Sequence, residues 1–273
     1  MNRLSVVIPT CGRPASLAAA LESVYAQSTL PHEVVVVDDG DAEHAGATRA
    51  VVERFCRPAA RLIANHRAKG PGGARNAGAE QARGVLLAFL DDDDEWLPAY
   101  LQEVLRCFAD HIDALCTDLV YRYEDGHERP GKSAPDAPLS ASAFLIRNPG
   151  LIGSNLVIRR SLYQQMGGFD ESLPTYEDVD FGLRLSLYAG VRYAALHERL
   201  VRHYQHTRTR LCMRLGDPMR AGVRRFFELH GHRMSAAERE RFGHLVRELW
   251  GTDEYGRVAP QPVAAPRQAG ADA

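Results

Sequence analysis

Five consecutive acidic residues follow the apolar run Val85–Leu90, and this junction is the first place in the chain where chemistry is expected. The acids are Asp91, Asp92, Asp93, Asp94 and Glu95. Neighbouring carboxylates repel one another unless a positive charge lies among them. Mg²⁺ and Mn²⁺ prefer such oxygen ligands and complete their shells with substrate phosphates. We therefore predict a divalent cation here, in preference to the alternative of a simple acidic helix start.

A second acidic segment lies far along the chain, in the sequence PTYEDVDFGLRL. It places Glu177, Asp178 and Asp180 at the start of a predicted helix over Val179–Ala189. Acids at a helix start are common caps, so this segment alone leaves capping and catalysis open. Together with the first cluster it favours catalysis, because a reaction on a phosphate-bearing substrate needs a metal for the leaving group and a separate base.

Short apolar runs that alternate with amphipathic segments must position these acids. The predicted strands are Ser5–Pro9, Val34–Val37, Arg61–Ala64, Val85–Leu90, Ala114–Val120 and Leu151–Ile158. One predicted helix begins after Pro14, and three others cover Gly73–Arg83, Pro98–Ala109 and Ser161–Met166. This alternation predicts an α/β fold with a mostly parallel open sheet flanked by helices. In such sheets ligands bind at the carboxyl ends of the strands, where the acids emerge.

The domain prediction divides the chain into three parts. Residues 1–210 form the main domain, in which Arg129–Pro138 is rich in Pro, Gly and Ser and is predicted to be a mobile loop. Residues 211–250 form a helical extension, whose last helix starts at the capping box of Ser235 and Glu238. Residues 251–273 are rich in Pro, Ala and Gly without periodicity, which predicts disorder.

Composition restricts the partners and the compartment. The chain has 33 Lys and Arg against 35 Asp and Glu, a balance that predicts no nucleic-acid partner. Five scattered cysteines without a C-x-x-C pair indicate reduced thiols and a cytoplasmic protein. No apolar stretch reaches the length of a membrane span, so membrane contact would be peripheral. The basic segment Val201–His230 could meet lipid headgroups, although a solvated helix face is the commoner explanation.

Several motifs taken together resemble the family 2 nucleotide-sugar glycosyltransferases of the GT-A type. The resemblance covers Leu4–His206 and is carried by SVVIPTCGRP, VVVVDDG, GPGGARNAG, FLDDDDEWLP and YEDVDFGLRL, in that order. It implies a GT-A, Rossmann-like domain with a C-terminal helical extension. It also implies transfer of a sugar from a nucleotide-sugar donor, expected to be a UDP-sugar, to an acceptor hydroxyl on a glycan or a lipid-linked molecule.

The resemblance implies roles for individual residues at the donor end. The nucleotide-binding residues would be Thr10, Arg13, Asp39, Arg75, Asn76 and Asp92, with Asp39 accepting from a base N–H. The metal, Mn²⁺ or Mg²⁺, would be held by Asp91 and Asp93 as the D-x-D pair, with Asp94 as a further candidate because the four consecutive aspartates blur the register. A histidine after the last core strand would complete the metal site, and spacing favours His206 over His203.

The same resemblance implies an inverting single displacement with Asp178 as the general base and Glu177 as the alternative. We expect the helix start to favour the ionised form of Asp178. Two other functions are considered. A sugar nucleotidyltransferase should carry a Gly-rich, basic signature after the first strand, of which TCGRP is a poor version. A non-catalytic nucleotide-sugar-binding module would not need the Glu177–Asp178 pair, which speaks against it.

Overall fold

The computed structural model describes residues 3–55, 58–108, 111–205 and 217–250. The strands are β1 Leu4–Thr10, β2 Glu33–Asp38, β3 Ala60–Ala64, β4 Leu86–Phe89, β5 Asp94–Trp96, β6 Ala114–Tyr123, β7 Glu128–Pro130, β8 Leu156–Arg159 and β9 Tyr193–Gln205. The helices are α1 Pro14–Tyr25, α2 Ala42–Val52, α3 Pro71–Gln81, α4 Tyr100–Cys107, α5 Ala141–Ile146, α6 Arg160–Gln165, α7 Glu177–Leu187, α8 Asp217–His230 and α9 Ala236–Trp250.

The strands form one open sheet in the order β3-β2-β1-β4-β8-β6-β9-β5, with β7 paired to β6. The first four strands in this order are parallel, and this half of the sheet follows the predicted β-α-β alternation. Strand β8 is antiparallel to both of its neighbours, and β5 is antiparallel to β9. The predicted α/β open sheet flanked by helices is therefore confirmed, and its second half is mixed.

Continuous apolar runs form the central strands because both faces of the sheet are covered. Val6 and Ile8 of β1 join the core that α1 covers, whereas Val7 joins the core that α3 covers. Helix α3 lies very close to the sheet, since a Cβ added at Gly78 would be only 2.3 Å from Cγ1 of Val7. Its run of small residues is thus a packing requirement.

The structure differs from the sequence prediction at several elements. Part of the predicted loop Arg129–Pro138 belongs to β7, which pairs with β6. Helix α7 begins two residues before the predicted start, at Glu177, so both acids of the pair lie in its first turn. The sequence analysis missed α2, β5, α5, β9 and α8. Helix α2 has only a weak apolar period, and β9 carries charged residues in its second half.

The C-terminal helices pack against the main domain. On α8, a Cβ at Gly222 would lie 2.1 Å from Oγ1 of Thr175, so that this helix closely contacts the segment before α7. Nε2 of His230, at the end of α8, lies 2.7 Å from the buried Oδ1 of Asp180 in α7. Helix α9 begins directly after Ser235 of the predicted capping box, in which the carboxylate of Glu238 accepts from the backbone N–H of Ser235 at 2.7 Å.

Two sequence predictions concern residues that the structure does not describe. These are the predicted disordered tail, residues 251–273, and His206, both of which lie outside the described residues. Among the described helices, none combines the length and the apolar composition needed to cross a bilayer.

Candidate active site

A cavity of about 760 Å³ opens at the carboxyl ends of β1, β2 and β4. Its size lies within the range of small-molecule sites. Nine of the predicted site residues line it, namely Thr10, Arg13, Asp39, Arg75, Asp91, Asp92, Asp93, Glu177 and Asp178. His203 also lines the cavity, whereas Asn76 and Asp94 do not. The topology therefore brings together motifs that are separated by more than 160 residues of sequence.

Arg13 supplies positive charge to the acidic run after β4. Its guanidinium donates to both carboxylate oxygens of Asp92, and its Nη1 donates to Oδ2 of Asp93 at 2.8 Å. The hydroxyl of Thr10 also donates to Asp92, at 2.7 Å. Burial nevertheless raises the pKa of Asp92 to about 7, against the opposing effect of Arg13. The repulsion expected from the sequence is thus relieved in part by the protein itself.

Arg75 joins the two acidic segments. Nη2 donates to Oδ1 of Asp91 at 2.5 Å, and Nη1 donates to Oε1 of Glu177 at 2.7 Å. The guanidinium is fully buried, and although burial opposes its charge, the two carboxylates raise the pKa of Arg75. It also packs over the ring of Phe169 at 5.2 Å. Gly153 leaves room for it, because a Cβ there would lie 2.7 Å from Nη2.

Asp94 is turned away from the cavity because it belongs to β5, where successive side chains point to opposite faces. It pairs with His203 across the β5–β9 ladder, and Nδ1 of His203 lies 2.9 Å from Oδ2 of Asp94. The hydroxyl of Ser154 donates to the same carboxylate at 2.6 Å. His203 therefore lines the cavity. Asp94, which was predicted to be a metal ligand, instead binds the imidazole of His203 and does not line the cavity.

Asp178 is fixed in the first turn of α7. Its Oδ2 accepts from Nδ2 of Asn148 at 2.8 Å, and its Oδ1 accepts from the backbone N–H of Val179 at 2.7 Å. Burial, followed by the charge of Glu177, raises the pKa of Asp178 to about 7. The backbone N–H of Val179 lowers the pKa of Asp178, as expected at a helix start, but burial and the charge of Glu177 outweigh this effect.

Asp39 and Asn76 have different surroundings. The carboxylate of Asp39 accepts from Nδ2 of Asn65 at 2.6 Å and from the backbone N–H of Gly70 at 2.9 Å, which orients it at the cavity edge. The amide of Asn76 is buried and bonds to protein groups, including the backbone oxygen of Phe169 at 2.9 Å. Asn76 thus fixes the segment before α7 instead of facing the cavity.

Sequence analysis missed the wall of the cavity opposite the nucleotide motifs. This wall includes Lys132, Arg147, Asn148, Tyr176, Met219 and Leu245. Tyr176, immediately before the acidic pair, has φ of 69°, which is a strained conformation for an aromatic residue. Its ring packs edge-on against Phe226 of α8, with the centroids 5.7 Å apart. Glycine is the residue that usually indicates a positive φ in a sequence. Because this position is a tyrosine, the sequence alone did not predict the conformation.

A comparison with protein families decides the assignment. The model for "Glycosyl transferase family 2" matches residues 5–167, which is more than half of the chain. The chain belongs to glycosyltransferase family 2. The matched range includes the nucleotide motifs and the acidic run after β4.

Individual relatives of this chain are named as glycosyltransferases. An uncharacterized glycosyltransferase of Haemophilus influenzae is 29% identical, over 67% of this chain and 61% of that protein. The Escherichia coli enzyme WfgD, a UDP-Glc:alpha-D-GlcNAc-diphosphoundecaprenol beta-1,3-glucosyltransferase, is 26% identical over 71% of this chain and 73% of WfgD. This family 2 chain thus spans less than two thirds of the first relative's length.

A solved structure shares the fold. The crystal structure of S. aureus TarS 1-349 in complex with UDP-GlcNAc has a TM-score of 0.65 and 21% sequence identity. The match covers 91% of this chain and 73% of that chain. The architecture of this family 2 chain is therefore the GT-A fold, as predicted.

The acidic tip of β4 fits a divalent cation in the chemistry of its ligands. Within the described residues, no group of three or more His, Cys, Asp or Glu side chains is arranged to hold a metal by itself. Asp91 and Asp93 nevertheless present carboxylates to the cavity. Mg²⁺ commonly binds through one or two carboxylates and completes its shell with water and substrate phosphates. Asp91 and Asp93 are therefore suited to hold a cation whose other ligands are water and substrate phosphates.

Proposed function

We propose that the chain transfers a sugar from a UDP-sugar to an acceptor hydroxyl by an inverting single displacement, with Asp178 as the general base. The observation that carries this proposal is the shared cavity. It brings the nucleotide motifs and the acidic tip of β4 together with a carboxylate whose pKa is about 7. A group with that pKa is suited to accept a proton near neutral pH.

The nucleotide would lie at the ends of β1 and β2. Asp39 is oriented by Asn65 and Gly70 and can accept from an N–H of the base. Thr10 and Arg13 line the adjacent wall. The TarS structure, which contains UDP-GlcNAc, supports a UDP-sugar as the donor.

The diphosphate would lie over Asp91 and Asp93, which would hold Mn²⁺ or Mg²⁺. When bound, the cation would stabilise the negative charge that gathers on the departing nucleoside diphosphate. Arg13 and Arg75 keep the two carboxylates in place through their ion pairs. His203, which is fixed by Asp94, is the described histidine nearest in sequence to His206 and faces the same cavity.

Asp178 would act at the other side of the anomeric carbon. Its carboxylate takes the proton from the acceptor hydroxyl while that oxygen forms the new bond to C1 of the sugar. The bond from C1 to the diphosphate oxygen breaks in the same step, and its electron pair leaves with the nucleoside diphosphate. Attack opposite to the leaving group inverts the anomeric centre.

Glu177 is less suited to be the base. Its carboxylate forms a 2.7 Å ion pair with the buried guanidinium of Arg75, so that this oxygen is already engaged by the protein. The charge of Glu177 instead raises the pKa of Asp178. We therefore assign base catalysis to Asp178 and the tuning of its pKa to Glu177.

The acceptor is proposed to be lipid-linked. The name of WfgD describes a diphosphoundecaprenol acceptor, which supports this proposal. Such an acceptor would bring this family 2 chain to the inner face of a cytoplasmic membrane as a peripheral protein. Co-sedimentation with anionic liposomes at low salt is the expected result, and no co-sedimentation under that condition would contradict membrane contact.

A thermal-shift screen tests the proposed function. UDP-, GDP- and dTDP-sugars are added with and without Mn²⁺, because a ligand that binds the folded state raises Tm. We expect stabilisation by a UDP-sugar that is larger with Mn²⁺ than without it. No stabilisation by any of these sugar nucleotides, with or without Mn²⁺, would contradict the proposed donor.

A further inference from the structure

Two cationic side chains, Lys132 and Arg147, line the cavity on the side of Asp178 and lie outside every motif discussed above. Lys132 follows β7, and Arg147 follows α5. The nucleotide motifs are contributed by β1, β2 and β4, which are different elements. The two cations therefore belong to the part of the cavity where the acceptor must approach the base.

The segment that carries Lys132 is held against the sheet. The backbone N–H of Leu119 in β6 donates to the oxygen of Lys132 at 2.9 Å, and the N–H of Ala134 donates to Oδ1 of Asp118 at 2.8 Å. These bonds continue the β6–β7 ladder beyond Pro130. Lys132 is thus placed by the sheet, although composition alone predicts a mobile loop.

The segment that carries Arg147 is hydrogen-bonded to Lys132 and to Asp178 through the neighbouring Asn148. Nζ of Lys132 donates to the backbone oxygen of Asn148 at 2.8 Å, while the side-chain amide of Asn148 donates to Asp178 at 2.8 Å. Gly150 permits the close approach, because a Cβ there would lie 2.0 Å from the backbone oxygen of Ser133. The ammonium of Lys132 and the backbone next to Arg147 are consequently fixed relative to Asp178.

The charges of these two cations are only weakly compensated by the protein. Among the described residues, Lys132 has no carboxylate within ion-pair distance, and its hydrogen bond goes to a neutral carbonyl. Arg147 reaches Glu248 at 4.0 Å, and both of those side chains are largely exposed, so this pair contributes little. Arg13 and Arg75 differ, because each contacts two carboxylates.

The surroundings of Lys132 disfavour its charge. Partial desolvation lowers the pKa of Lys132, although its side chain stays open to solvent; the neighbouring Arg147 lowers the pKa further, while Asp178 acts in the opposite direction. An incoming anion would relieve both effects. Two neighbouring cations that line a cavity are suited to bind phosphate or carboxylate oxygens.

We propose that Lys132 and Arg147 form an acceptor subsite that binds an anionic group, phosphate or carboxylate, attached to the acceptor sugar. The inference rests on the proposed function, since it takes Asp178 to mark the acceptor hydroxyl. It adds that the acceptor is recognised by charge close to the reacting hydroxyl. A phosphate would come from a sugar phosphate or a lipid diphosphate, and a carboxylate would come from a uronic acid.

The experiment measures the binding of three small probes to the full chain by calorimetric titration. The probes are glucose 1-phosphate, glucuronate and the neutral sugar glucose. Each titration is run with saturating UDP, which fills the donor diphosphate position, and again without UDP. We expect at least one charged probe to bind about tenfold more tightly than glucose in the presence of UDP. Whether glucose 1-phosphate or glucuronate shows the preference identifies the anionic group.

The variants are Lys132→Gln and Arg147→Gln, with Arg106→Gln as the control on the exposed face of α4. Each cavity variant should reduce the preference for the charged probe by about fivefold or more, and the control should leave it unchanged. The dissociation constant of UDP should stay the same in all variants. Lys132→Arg keeps the charge and should retain most of the preference, which separates charge recognition from a fold defect.

Equal binding of charged and neutral probes by the unaltered chain would overturn the inference. A charge preference that survives both cavity substitutions would also overturn it. Failure of UDP to bind would count against the proposed donor, and the titrations without UDP would still report on the anion subsite. The two proposals can therefore fail separately.

Discussion

Nη1 of Arg75 donates to Oε1 of Glu177 at 2.7 Å and connects residues that are 102 positions apart in the sequence. The other end of the same guanidinium holds Asp91. One buried cation therefore fixes the acidic tip of β4 relative to the helix that carries the proposed base. This arrangement makes the geometry of the candidate site depend on Arg75.

Removal of the Arg75 guanidinium should destabilise the folded protein. Arg75→Met leaves the carboxylates of Asp91 and Glu177 without their buried counter-charge, and we expect the free energy of unfolding to fall by about 3–5 kcal/mol. Urea denaturation measures this change. The control Arg106→Met removes an exposed ion pair and should cost no more than about 0.5 kcal/mol. Similar small losses in both variants would show that the Arg75 bridge is not a stabilising element.

Gly153 should be intolerant of a side chain. In Gly153→Ala the new Cβ would lie 2.7 Å from the Arg75 guanidinium, which is buried and cannot move freely. We expect a loss of stability of about 1–3 kcal/mol and a parallel loss of donor binding. The matched control is Gly46→Ala in α2, where no atom lies within 4 Å of the added Cβ. That variant should gain about 0.5–1 kcal/mol.

The pH dependence of transfer should report Asp178. Because its pKa is raised to about 7 and the base must be ionised, kcat/KM should fall as the pH decreases below 7 and level off above it. Asn148→Ala removes a hydrogen bond that favours the ionised carboxylate. It should move the acidic limb to higher pH by about half a unit. An acidic limb that stays in place would show that another group controls the rate.

Asp178 should reduce the stability of the folded protein. A folded-state pKa above the ordinary value means that the folded chain binds this proton more tightly than the unfolded chain. Stability is therefore lost as the pH rises from 3.8 to about 7. Asp178→Asn removes this loss and should stabilise the protein at pH 8 by up to about 4 kcal/mol, with little gain at pH 4. An equal effect at both pH values would contradict the raised pKa.

The parallel half of the fold could be predicted from the sequence. The runs that became β1, β2 and β4 are continuous and apolar, which is typical of strands that are covered on both faces. Their carboxyl ends had to share one edge, and this edge carries the acidic run after β4. The alternation of strands and helices predicted that position, whereas Asp39 was singled out only by the family resemblance.

The rest depended on pairings that local pattern does not encode. The acidic run was predicted to follow β4 as one group, with Asp94 among the candidate metal ligands. Instead its last residues form β5 against β9, and this pairing turned Asp94 towards His203 and away from the cavity. The positive charge inferred for the cluster is supplied in part by Arg13, from the loop after β1. Lys132 lay in a segment whose composition suggested only a loop.

The transfer activity of Asp178→Asn tests the central claim most directly. The variant keeps the size of the side chain and one accepting oxygen but cannot accept the proton. Transfer is measured with a UDP-sugar and an accepted acceptor, and UDP binding is measured in the same preparation. The account predicts a loss of kcat of about 10²–10⁴-fold with an unchanged dissociation constant for UDP. Turnover close to that of the unaltered chain would contradict the assignment of Asp178 as the base.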